Sequence, residues 1–173
     1  KLKELTNQGY KVVNDEFKDP QNFDDDASKD QNFTVQLEEG VVPFNPNNPP
    51  KPNDPMDPSN PDGPKWTDDK IKSAQQEAVK ELSRTIKYVY EDGTPVAESD
   101  LTSVADKKVK TLKFTRSGKI NVATGEITYG DWSADQTFEA VTSPTLEKYT
   151  AAVAGVTPAV ADVQANTVAA TDK

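Results

Sequence analysis

Nine of the chain's thirteen prolines fall between Pro43 and Pro64, and that one concentration limits the folds open to its 173 residues. Proline donates no backbone hydrogen and holds φ near a single value, so such a stretch forms neither a helix nor the interior of a sheet. Its remaining residues are mainly Asn and Asp. By composition it reads as an extended, semi-rigid spacer of polyproline type. The chain then divides into a small first part over residues 1–42, a linker over 43–64 and a larger part over 65–173. An apolar share of 34% and a mean hydropathy of −0.78 suit two thin domains better than one thick core.

Both flanks read as short β-rich pieces. Leu2 and Leu5 share a helical face ahead of Gly9, which predicts a short helix over Lys1 to Gln8 closed by a left-handed glycine. Tyr10 to Phe17 and Asn32 to Glu38 alternate side chains as strands do, with an acidic surface loop between them. Ile71, Ala74, Ala78 and Leu82 follow a helical spacing, so a helix is predicted from Asp68 to Gln76, giving way to a long strand from Val79 to Tyr90. In that strand Ile86, Tyr88 and Tyr90 face inward, and Asp92-Gly93 turns the chain back. Further strands are predicted over Val109 to Thr115, Ile120 to Val122, Glu126 to Tyr129 and Gln136 to Val141, with weak edge strands in the tail beyond Tyr149. The fold class is mostly β, of α+β type. Because Lys1 opens in mid-pattern, the chain reads as a piece of something longer.

Composition removes whole classes of function. A net charge of −9 repels phosphate backbones and anionic lipid heads, so neither nucleic acid nor membrane is an expected partner. No apolar run reaches the roughly 20 residues that span a bilayer. The chain has no cysteine and no histidine, which excludes disulfides, zinc ribbons and thiol chemistry, and removes the usual proton carrier near neutral pH. Glu126 with Asp131, and Asp131 with Asp135, are carboxylate pairs at turn ends, where acids serve solubility; no enzyme is expected.

Three sets of residues invite a ligand. Asp24-Asp25-Asp26 lack the alternating spacing of a helix-loop-helix calcium site and read as a solvated acidic loop. Asp54, Asp57 and Asp62, close in sequence to Asp68 and Asp69, are candidate calcium ligands that would stiffen the joint; the alternative is a plain hydrated spacer, and no other cofactor is expected. Tyr88, Tyr90, Tyr129 and Trp132 form a potential sugar-stacking set. Three of them sit on inward strand faces, which leaves Trp132 as the candidate ligand-binding residue.

Taken in order, Arg84-Thr85-Ile86-Lys87-Tyr88-Val89-Tyr90-Glu91-Asp92-Gly93, Leu112-Lys113-Phe114-Thr115-Arg116, Ala123-Thr124-Gly125-Glu126-Ile127-Thr128-Tyr129-Gly130-Asp131-Trp132, Phe138-Glu139-Ala140-Val141-Thr142-Ser143-Pro144 and Lys148-Tyr149-Thr150 resemble the mucus-binding (Mub-type) repeat of lactic-acid-bacterial cell-surface adhesins. Upstream, Gln8-Gly9-Tyr10 and Asp30-Gln31-Asn32-Phe33-Thr34-Val35 look like the end of the smaller first half of the same repeat. The resemblance implies an elongated two-domain module, a partial ubiquitin-like β-grasp followed by an extended β-rich domain, present in tandem copies along a Gram-positive protein anchored at the cell wall. It implies adhesion to mucin glycoproteins, with immunoglobulin as a second partner. A structural stalk that binds nothing itself is the competing expectation.

Overall fold

A computed structural model of the chain describes residues 1–17 and 30–171; the acidic triplet Asp24-Asp25-Asp26 lies outside them. In chain order the elements are α1 (Leu2–Asn7), β1 (Tyr10–Asp15), β2 (Val35–Glu39), β3 (Val41–Phe44), α2 (Asp68–Ala78), β4 (Val79–Thr85), a 3-10 helix (Glu98–Val104), β5 (Val109–Thr115), β6 (Gly118–Asn121), β7 (Ile127–Tyr129), β8 (Gln136–Phe138) and β9 (Asn166–Val168). The fold is mostly β with few helices. Packing divides it into two units, one of Lys1–Ala78 with Arg116–Asp131, the other of Val79–Thr115 with Trp132–Lys173.

In the first unit, α1 ends where expected, at Gly9 with φ of +98°. β1 pairs antiparallel with β2, Val12 opposite Leu37, with a bulge before Asn14. β3, β6 and β7 form an antiparallel sheet in that order, Val42 opposite Ile120 and Ile120 opposite Ile127. Against it α2 packs Ala74 and Ala78, with Ile71 partly covered, and Thr67 caps the helix by accepting the Lys70 amide at 3.2 Å.

Here the proline-rich stretch departs from the spacer it was read as. Phe44, 1% exposed, and Met56 and Trp66 are core residues of this unit, with the Phe44 and Trp66 rings 5.8 Å apart and Tyr129 edge-on to Phe44. The loop closes on itself through its non-proline positions: Asn53 donates to the Trp66 carbonyl, Trp66 to Asp54, and Met56 to Pro64. Proline here fixes turn geometry, and the interspersed N–H groups do the pairing. β3 was hidden for the same reason. Pro43 lies within it, opposite Lys119, and an edge strand tolerates the missing donor.

In the second unit, β4 pairs along its whole length with β5, Leu82 opposite Leu112. The strand expected to reach Tyr90 ends at Thr85, opposite the start of β5 at Val109, with one further bond from the Ile86 amide to the Lys108 carbonyl at 2.7 Å. The alternation nevertheless persists. Ile86, Tyr88 and Tyr90 pack against Val96, Leu101, Val104 and Val141, while Val89 is 55% exposed. Asp92-Gly93 makes the expected turn, Gly93 at φ of +84° and the Thr94 amide donating to the Asp92 carboxylate. The strand expected over Gln136 to Val141 stops at Phe138, with only an isolated bridge from Val141 to Val163. A separate cluster gathers Leu112, Phe114, Phe138, Val168 and Ala170.

Candidate functional site

The residues picked out by sequence go to different places. Trp132, the candidate ligand-binding residue, packs partly buried against the Leu112, Phe114 and Phe138 cluster. Tyr129 lies under the Arg116 guanidinium, 4.6 Å from its ring centroid, and its hydroxyl donates to the Ala74 carbonyl. Glu126, Asp131 and Asp135 are exposed. Asp54 accepts the Lys51 amide at 2.8 Å, Asp62 pairs with Lys3 at 3.9 Å, and Asp57 turns elsewhere. Among the described residues no group of three or more metal-ligating side chains comes together.

Asp57 stands apart: at 7% exposure it is the one buried polar or charged residue among those described. The sequence Asp57-Pro58-Ser59-Asn60 folds as a tight turn, with the Asn60 amide donating to the Asp57 carbonyl at 2.9 Å. One carboxylate oxygen, Oδ1, accepts both the Ser59 amide at 2.9 Å and the Ser59 hydroxyl at 2.6 Å. The other, Oδ2, faces Lys11 Nζ at 3.4 Å. Burial pushes the carboxyl pKa upward more than any other single influence, yet the Ser59 hydroxyl and amide, with the Lys11 charge, together outweigh it and hold it below the ordinary aspartate value. At neutral pH the group is an ionised acceptor.

That carboxylate opens on a cleft of about 460 Å³ lined by Thr6, Gly9, Tyr10, Lys11, Val12, Asp57, Ser59 and Asn60. The Asn60 side-chain amide donates to the Thr6 carbonyl at 2.6 Å and ties the turn to the end of α1. The opposite wall is set by two glycines. A Cβ on Gly9 would lie 2.7 Å from the Val122 and Ala123 backbone, and one on Gly40 would lie 2.5 Å from the Gly9 carbonyl oxygen. Their absence lets Gly40 donate to Gly9 and Val122 donate to Gly40, which fixes where β1 starts and so where Tyr10 and Lys11 stand. Sequence reading named Asp57 for a cation and missed its partners. The Asp-Pro-Ser-Asn turn was a legible signal; Lys11 and Thr6, distant in sequence, were not.

In a second groove of about 410 Å³, between α2 and β7, Lys70 and Glu77 are engaged internally. Lys70 donates to the Gly125 carbonyl at 2.6 Å, and Glu77 pairs with Arg116 at 3.4 Å. No described helix is long and apolar enough to cross a membrane.

Comparison with known proteins places the chain among modules of one kind. The profile of the Muc B2-like domain matches residues 73–173, more than half of the chain, and that of the mucin binding domain matches residues 1–39. The chain belongs to the Muc B2-like domain family and is a mucus-binding adhesion repeat, of a class found on extracellular surface proteins. Among solved structures, Mub-RV matches at 22% identity over 99% of this chain and 73% of its own, with a TM-score of 0.58, which places the fold among Mub repeats. The type 2 repeat of the mucus binding protein MUB from Lactobacillus reuteri matches at 26% identity over 96% and 70%, with a TM-score of 0.48. The mucin-binding domain of Spr1345 from Streptococcus pneumoniae matches at 24% over 54% and 80%, with a TM-score of 0.41. No curated protein matches significantly.

Proposed function

We propose that this chain contacts mucin glycoproteins directly and is not a passive stalk. The observation that carries the reading is the buried, ionised Asp57 at the floor of an open cleft. A carboxylate removed from water costs several kcal/mol unless it is paired, and this one, beside its Ser59 and Lys11 partners, still faces an open cleft. In the parent protein such modules stand in tandem at the cell wall, where repeated weak contacts combine through effective concentration. Immunoglobulin is the further partner, reached through protein surface and independent of sugar.

Retention of the full chain on immobilised mucin tests this. Binding in the micromolar range that drops on deglycosylated mucin is the expected result, with immunoglobulin retention unchanged by the same treatment. No retention on mucin at high micromolar concentration returns the chain to the role of spacer.

A further inference from the structure

The geometry points to the Asp57 cleft as a subsite for the hydroxyl face of an uncharged sugar ring, an assignment that rests on the mucin-contact reading and specifies its ligand. The free hydrogen-bonding capacity at the cleft is of both signs. Asp57 Oδ2 meets Lys11 Nζ only at 3.4 Å, long for a hydrogen bond, and an ionised carboxylate has about four acceptor positions of which the Ser59 pair occupies two. Asn60 commits its amide nitrogen to Thr6, and its amide oxygen takes no hydrogen from any described residue. The Lys11 ammonium keeps further N–H groups beside them. Neighbouring sugar hydroxyls each donate and accept, so they match two acceptors beside the ammonium donors.

Charge selects the ring. Lys11 is already paired with Asp57, so the cleft has no spare cation for a carboxylate or sulfate, and the chain's net charge of −9 repels one further. Its volume of about 460 Å³ lies within the range of ligand clefts, roughly 300–1,000 Å³.

The test is an amide-resolved NMR titration of the full chain with methyl β-galactopyranoside, methyl α-fucopyranoside and methyl N-acetyl-β-glucosaminide, and with galactoside 6-sulfate as the anionic control. At least one neutral glycoside is expected to shift the Lys11, Ser59 and Asn60 amides saturably, and the sulfate to bind at least about tenfold more weakly. Asp57→Asn, which leaves Ser59 an acceptor, is expected to lower affinity about tenfold or more. Lys11→Met, which removes the ammonium donors, is expected to lower it about fivefold. Unshifted Phe44 and Ile120 amides, in the core of the same unit, show that each variant is folded. The assignment falls if all three neutral glycosides leave the cleft amides unmoved, if the sulfate binds as well as its parent, or if both variants titrate like the wild type. Mucin retention with a silent cleft removes the subsite and keeps the adhesion reading. Cleft shifts without mucin retention do the reverse.

Discussion

The two units bury their side chains in different ways. The first gathers one core, Phe44, Met56, Trp66, Ala74, Ala78, Ile120 and Val122, and its single buried charge has partners for both oxygens. The second splits its apolar residues into two clusters and leaves Arg84 Nε, Arg84 Nη1 and Tyr88 Oη buried without partners among the described residues. Arg84 rests on packing instead, 5.1 Å above the Phe138 ring, with one bond from Nη2 to the Glu139 carbonyl. A charge held by designed hydrogen bonds marks a place where polarity is used, whereas one held by a ring face is a long side chain covering apolar surface.

Single substitutions sharpen that contrast. Phe44→Ala is expected to cost about 3–5 kcal/mol and to lower hydrogen-exchange protection throughout the first unit, since one core serves it all. Leu101→Ala, at about 2–5 kcal/mol, should release Ile86 to Val104 while β5 stays protected; equal loss at Leu112 and Phe114 would show the two clusters to be one. Gly9→Ala meets both a positive φ and backbone at 2.7 Å, and about 1–3 kcal/mol of lost stability in urea melts is the expected reading.

Asp57→Ala should cost about 1–3 kcal/mol at neutral pH by stranding the Ser59 donors. Because folding depresses the Asp57 pKa, its contribution is complete above the unfolded value and disappears as pH falls through the folded one. The gap between wild type and variant in urea midpoint must therefore close on acidification; a gap that widens contradicts the assigned bonding. Smallest of all, Tyr88→Phe should change stability by under about 0.5 kcal/mol or raise it, because the hydroxyl removed has no partner to lose. A large loss there would erase the distinction drawn between the units.

Local periodicity carried much of the fold into view. β5 was legible to the residue from alternation, the start of α2 from its helical spacing, and the end of α1 from Gly9. What escaped depended on pairing at a distance. β4 stops when its partner does, which no property of Ile86 or Lys87 announces. The 3-10 helix went unassigned although Leu101 and Val104, three apart and both buried, carry its spacing. At the site, Asp57 was visible as an acid in a turn, but its role follows from Lys11 and from the end of α1, brought to it by tertiary folding.

Residues 116–131 pack with the first 78 and not with the neighbours on either side of them in the chain. Neither unit is thus a single run of sequence, and the profile boundary at residue 73 falls inside α2. A gene fragment ending anywhere between residues 79 and 115 therefore leaves Ile120 and Val122 behind and hands on the first core unfilled.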